Sequence, residues 1–232
     1  MSAPTPPSPP EPIEPKHGSG PSSRTLFAVV VLVVIVAGAI LLLAGKGSSS
    51  SPPAASRSAG KALFSGSEAS PPEREPALAL RNYNGEAVNM SNYRGKAVLV
   101  TFIYTHCPDV CPLITANLHV AQGLLGPVRD AKLQIIAVSV DPRGDTPKTV
   151  ASFLSKHDMT GHMKYLIGSA SQLARVWKAW GVGSERDVHN PGIVEHTGLV
   201  YGISASGKVM TLYAGNFRPA EIVHDVPLLE TR

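Results

Sequence analysis

The chain has 232 residues, of which 43% are hydrophobic, 16% charged and 6% aromatic. That is enough for one ordinary domain with appendages and too little for two large ones. The formal net charge is +4, but from residue 77 onward 15 Lys and Arg face 12 Asp and Glu with no basic run and no basic-aromatic interleaving, which excludes nucleic acid as a partner.

Eight prolines fall within the first 25 residues. Each removes a backbone donor and clashes with a preceding helical turn, so residues 1–25 are expected to be a disordered or polyproline-like tail. Residues 26–44 carry no charge or strongly polar group, between Arg24 and Lys46. At 1.5 Å per residue this stretch would span about 28 Å, close to a bilayer's hydrocarbon core. It reads as a single transmembrane helix. A cleaved signal peptide is the rival, but its apolar region is normally shorter and follows a short basic start. Charge hardly fixes the orientation, because Lys16 and Arg24 are matched by Lys46 and Arg57. A lone N-terminal anchor and the cysteine chemistry below favour a membrane protein with its domain outside the cytoplasm. Residues 45–76, with Ser48 to Ser51 and Pro52, Pro53, Pro71, Pro72 and Pro76, read as a linker of intermediate stiffness.

The domain is expected over 77–232 as alternating strands and helices. Asn84-Gly85 signals a hairpin between strands at 79–83 and 87–90. Residues 97–104 (AVLVTFIY) form a buried strand by their β-branched and aromatic content. A helix over 112–125 follows, with Ile114, Leu118, Ala121 and Leu125 on one face, then a second buried strand at 133–140. Asp145 or Thr146 caps the next helix, which has Pro147 in its first turn. A strand at 163–167 leads to a helix at 171–180 with both tryptophans facing in, stopped by Gly181. Strands at 199–204 and 209–213 and a helix over 219–229 complete an α/β domain around a mixed sheet. A thioredoxin-like fold fits this order.

The two cysteines of the chain are Cys107 and Cys111, in Thr105-His106-Cys107-Pro108-Asp109-Val110-Cys111-Pro112. A strand end entering a helix places them where unpaired N–H groups stabilise a thiolate. Three readings compete. A structural disulfide would close a very short loop and stabilise little. A redox pair is open, although redox motifs usually have two residues between their cysteines. A soft metal is the third, and two thiolates with one imidazole suit Cu(I) better than zinc, which normally takes four protein ligands in a structural site.

His196, in Val194-Glu195-His196-Thr197-Gly198, precedes a late strand that a thioredoxin-like order brings against the cysteine loop. It is the expected third ligand. His106 ends a strand, where alternation turns it away from Cys107. Asp109 would tune the thiolates or sit in a surface turn. Asp141 and Asp145 read as cap and turn residues. His157, Met159, His162 and Met163 form a soft-ligand cluster on paper that a helix end followed by a strand explains more simply.

These residues resemble the Sco/SenC copper chaperones that assist cytochrome c oxidase assembly. The resemblance rests on Arg94-Gly95-Lys96, Tyr104 to Pro112, Val138-Ser139-Val140-Asp141-Pro142, Asp145-Thr146-Pro147 and the late histidine, and it covers about residues 77–232. It implies a thioredoxin-like domain on one N-terminal helix, with Cys107, Cys111 and His196 as copper ligands. The implied client is the copper centre of oxidase subunit II. The family's histidine often stands between aspartate and serine, here Glu195 and Thr197. The polar stretch 181–195 reads as a mobile loop that would swing the imidazole on or off the metal. Cu(I) is the expected form, with Cu(II) the alternative. The competing function is a membrane-anchored thiol-disulfide oxidoreductase with Cys107 as attacking thiolate. Against it, no proline stands immediately before the late strand, where thioredoxins place their substrate-binding cis-proline; Pro191 lies five residues before His196.

Overall fold

Seven consecutive buried residues, Ala97–Ile103, make β4 the centre of the sheet. Such a run cannot face water on either side, so both faces must be covered, as they are in a sheet flanked by helices. The computed structural model describes residues 62–190 and 192–232. The elements in chain order are β1 (Ser67–Arg74), β2 (Ala79–Asn82), β3 (Ala87–Asn89), β4, α1 (Val110–Asp130), β5 (Leu133–Ser139), α2 (Pro147–Lys156), β6 (Met163–Ile167), α3 (Ala170–Trp180), β7 (Ser184–Arg186), β8 (Val194–His196), β9 (Leu199–Ile203), β10 (Lys208–Ala214) and α4 (Pro219–Glu230). Eight strands form one sheet in the order β1-β10-β9-β4-β5-β6-β2-β3. β4, β5 and β6 run parallel, and β9 closes against β4 antiparallel. This is the expected mixed sheet.

The helix boundaries follow local chemistry. The Thr146 side chain caps α2 in a reciprocal box with Thr149, and Pro147 occupies its first turn. Ser169 and Gln172 form the same box on α3, and Gly181 ends that helix at φ 65°, where a Cβ would be strained. α1 continues past 125 because Gly126 (φ 72°) kinks it and Pro127 starts a further turn. Phe102, Trp180 and Tyr201 pack together with centroids 5.3–5.9 Å apart, Tyr201 edge to face with both other rings and Phe102 tilted against Trp180. Trp177 is only partly buried, and its indole N–H donates to the Ser139 carbonyl at 2.9 Å.

The linker read over 45–76 gives way to ordered structure before its end. Phe64 is buried, and the Ser65 and Gly66 amides donate to the fully buried Asp225 carboxylate at 2.8–3.0 Å. A Cβ at Gly66 would lie 2.4 Å from Thr211 Oγ1, so only glycine fits there. β1 then pairs antiparallel with β10, with a register shift between Glu68 and Glu73. Pro71 and Pro72, which cannot donate to a ladder, fall in that interruption on an edge strand. The expected tail and transmembrane segment lie outside the described residues. Among the described residues no helix is long and apolar enough to cross a membrane.

Candidate metal centre

β4 delivers the chain to the site at its C-terminal end, and the loop 104–109 carries it into α1. Asp109 caps α1 by accepting from the Val110 amide, so Cys111 lies in the first helical turn with Cys107 just outside it. The Cys111 amide donates to Cys107 Sγ at 3.3 Å. This is the expected stabilisation of a thiolate by an unpaired helix N–H. The Cys107 thiol is pushed down to about 4, chiefly because the Cys111 thiol donates to it, with His196 and the Asp109 and Cys111 amides adding to the effect against the cost of burial. Cys111 moves the opposite way. Burial, and the bond it gives to Cys107, push its thiol well above the ordinary range. Both cysteines are free and buried.

The third residue arrives from the far end of the chain. Cys107, Cys111 and His196 present donor atoms that all lie within 4.8 Å of one another, and Cys111 Sγ is 3.5 Å from His196 Nε2. Among the described residues this is the one group of three or more Cys, His, Asp or Glu placed to hold a metal ion. Two sulfurs and one imidazole nitrogen are a soft donor set of the kind that suits Cu(I). His196 Nδ1 is buried without a protein partner.

His196 is not on a loose loop. The segment 181–195, read as mobile, contains a two-stranded ribbon in which Ser184 pairs with His196 and Arg186 with Val194. Three-residue strands with mixed polarity carry too little periodicity to be seen in sequence. Three ties hold the ribbon to the cysteine end of the sheet. The Val194 amide donates to the buried Tyr104 hydroxyl at 3.2 Å, Ser184 Oγ donates to the Val140 carbonyl at 3.1 Å, and Arg186 pairs with the buried Asp141 carboxylate. The Tyr104 ring also stands edge-on to the His196 imidazole, with centroids 5.7 Å apart.

Asp145 is no helix cap. It is buried and accepts from the Thr105 amide at 2.9 Å, Thr105 Oγ1 at 2.8 Å, Ser139 Oγ at 2.7 Å and Tyr165 Oη at 2.9 Å. It thereby ties the start of the cysteine loop to β5 and β6. Burial raises its carboxyl above the usual range against those four hydrogen bonds. Val110, at the start of α1, seats against Gly198 and Gly215, where Cβ atoms would lie 3.4 and 2.6 Å from its methyl. The run Tyr104 to Pro112 carried the resemblance without giving Tyr104 or Val110 a role, and nothing in the sequence pattern announced Arg186 as part of the site.

The remaining candidates fall elsewhere. His106 Nδ1 lies 3.1 Å from Thr105 Oγ1 and outside the three-donor group. Asp141 accepts from the Arg143 amide as a turn residue and from Arg186. Met159 and Met163 are core residues, His157 packs tilted against Phe153 with centroids 4.6 Å apart and His162 is exposed. Packing explains the first three, and His162 stands at the surface apart from them.

The family model for SCO1/SenC matches residues 67–229. The mitochondrial SCO1 homolog of Mus musculus is 26% identical over 176 residues, which is 73% of this chain and 57% of that protein. The chain spans about half the length of the first mammalian relatives it matches. The solution structure of apo Sco1 from Thermus thermophilus superposes with TM-score 0.64 at 27% identity, covering 73% of this chain and 99% of that one. The structure of Bradyrhizobium japonicum ScoI with copper bound gives TM-score 0.60 at 30% identity, covering 67% and 99%. With the matched region holding the sheet, both cysteines and His196, the chain belongs to the SCO1/SenC family.

Proposed function

We propose that this protein is a copper metallochaperone, tethered to the membrane by residues 26–44 with its domain outside the cytoplasm. It would hold one Cu(I) between Cys107, Cys111 and His196 and hand it to the copper centre of cytochrome c oxidase subunit II. The convergence of two sulfurs and one imidazole within 4.8 Å carries the reading. The copper named in the Bradyrhizobium structure supports it, and the client follows from the family resemblance. A three-donor site suits transfer, because a partner's thiolates and imidazoles can replace the donors one at a time. The Cys107 pKa of about 4 supports the same use, since the sulfur is a thiolate at neutral pH with no proton to displace. The test is Cu(I) competition against a chromophoric chelator by the reduced, full-length protein and its Cys107→Ala, Cys111→Ala and His196→Ala variants. One tight site that each variant weakens tenfold or more, at least about 1.4 kcal/mol, is expected. Equal affinity in all four proteins would rule the site out.

The same low pKa favours a second reading, a thiol-disulfide oxidoreductase in which Cys107 attacks and Cys111 resolves. Oxidation of the pair would remove two of the three donors, so the two functions would alternate on the same cysteines: copper binding when they are reduced, reduction of a partner's cysteines as they become oxidised.

A further inference from the structure

α1 carries no charged side chain from Val110 to Val128, whereas α2 and α3 show Lys148, Lys156, Arg175 and Lys178 to water. Its buried face includes Ile114, Leu118 and Ala121. On the opposite side Leu113, Ala116, Val120 and Leu124 recur at three- and four-residue spacing and are all exposed, so they form one stripe along the helix. Among the described residues six large apolar side chains stay exposed, and Leu113, Val120, Leu124 and Val128 are four of them, the last two at 64% and 76%. The charges that close the helix are committed, with Arg129 paired to Glu230 and Asp130 accepting from Gln122. A water-facing helix surface normally carries charge. This stripe, on the order of a few hundred Å², is as large as a monomer's patches usually run and short of the roughly 800 Å² per partner that a stable protein pair buries. The place where the chain enters the domain points to what covers it. Ser65 and Gly66 donate to Asp225 of α4, and α4 packs beside α1, with Asn117 Nδ2 donating to the Phe217 carbonyl just ahead of α4 at 2.7 Å. A fifth exposed apolar side chain, Leu63, stands at that entry. Residues 45–61 extend at most about 60 Å from the apolar run 26–44, so a domain on this tether meets a bilayer at high effective concentration, where a modest apolar face suffices for contact.

We propose that the outer face of α1 is a bilayer-docking surface, with Leu113, Val120, Leu124 and Val128 seated at the boundary between headgroups and acyl chains. The inference rests on the reading of residues 26–44 as a membrane anchor. Docked in this way, α1 lies along the membrane. Cys111 sits in the first turn of the same helix, so the cysteine pair is held at the level of a membrane-bound partner's surface and does not range over the full reach of the linker. The contact is apolar, and no charge is needed to hold it.

The experiment uses the full-length protein reconstituted into phosphatidylcholine vesicles, with the photocrosslinker p-benzoylphenylalanine in place of Leu124 or, in a second sample, in place of the exposed Lys178 on α3. After illumination, mass spectrometry quantifies lipid adducts on the two peptides. Adducts at position 124 should exceed those at position 178 at least about fivefold, and the ratio should hold in high salt, which screens charge but not apolar burial. Adding Val120→Asp and Val128→Asp to the position-124 reporter should cut its lipid adducts at least about fivefold. Equal yields at the two positions, or a reporter at 124 that joins a second copy of the chain in place of lipid, would overturn the surface. Alkaline extraction of the wild-type vesicles keeps the two claims apart. Retention of the protein with equal adduct yields overturns the docking face and leaves the anchor standing. Release of the protein defeats the anchor reading, and the adduct ratio measured before extraction then decides the stripe by itself.

Discussion

Cys111 Sγ lies 3.5 Å from His196 Nε2, although 85 residues separate them in the chain. The contact is built by the sheet order, since β9 lies directly beside β4 and so returns the chain segment ending at His196 to the strand end that launches the cysteine loop. Everything the site does depends on that return being held in place.

The ribbon ties should therefore matter to copper without touching it. Tyr104→Phe leaves the Val194 amide without its acceptor, and Arg186→Ala leaves the buried Asp141 carboxylate without its cation. Each should weaken Cu(I) binding about threefold to tenfold, the scale of roughly 1 kcal/mol for a hydrogen bond or ion pair of this kind. Thermal stability should fall by less than in a core truncation. Chelator competition and calorimetry on the same samples check this, and unchanged copper affinity in both variants would show that the ribbon ties do not position His196.

The two cysteines titrate in opposite directions, which gives the reduced protein a particular pH profile. Cys107 is depressed to about 4, so the stability it contributes is present above the ordinary thiol pKa of about 8.5 and is lost as pH falls toward 4. Cys111 is raised, so its contribution is lost as pH climbs above about 8.5, where the unfolded chain would release that proton. The pair should thus favour folding most near pH 8.5. Denaturant titrations of the wild type against a Cys107→Ser, Cys111→Ser double variant isolate this difference, and a difference that is flat between pH 5 and 10 would contradict it.

Alkylation reads the same asymmetry directly. At pH 6 iodoacetamide should modify Cys107 well ahead of Cys111, as peptide mapping would show, because one sulfur is already a thiolate and the other is a buried thiol. His196→Ala should slow Cys107 modification at low pH by removing one of the groups that lower its pKa. Equal rates at the two cysteines would reverse the assignment of roles.

Asp145→Asn keeps the shape but sets an amide NH₂ against donors from Thr105, Ser139 and Tyr165. It should cost about 1–3 kcal/mol. The carboxyl is raised in the folded state, so folding takes up a proton in the window above its unfolded pKa of about 3.9. Across that window the wild type's stability advantage over Asp145→Asn should shrink as pH rises. An advantage that grows with pH would mean that the carboxylate is favoured by its four partners over burial.

Much of this was legible in the sequence, for physical reasons that differ by element. β6 and α3 declared themselves through hydrophobic runs and the Gly181 stop, though the Ser169 cap that starts α3 two residues earlier was not read, and Cys107 and Cys111 through the strand-to-helix junction they occupy. His196 was separable from His106 because strand alternation turns one away and chain order brings the other in. β1 was hidden by Pro71 and Pro72, which read as linker until an edge strand with an interrupted ladder accommodates them. The β7–β8 ribbon was hidden by its brevity. Asp145 was misread because the sequence that caps a helix at Thr146 looks the same whether the preceding aspartate faces water or is buried beneath the cysteine loop.

The most direct test of the central claim is copper X-ray absorption on the reduced, Cu(I)-loaded full-length protein and on its His196→Ala variant. The account predicts two sulfur scatterers and one imidazole nitrogen in the wild type, with the nitrogen lost in the variant. A wild-type shell without sulfur, or one identical in the two proteins, would contradict it.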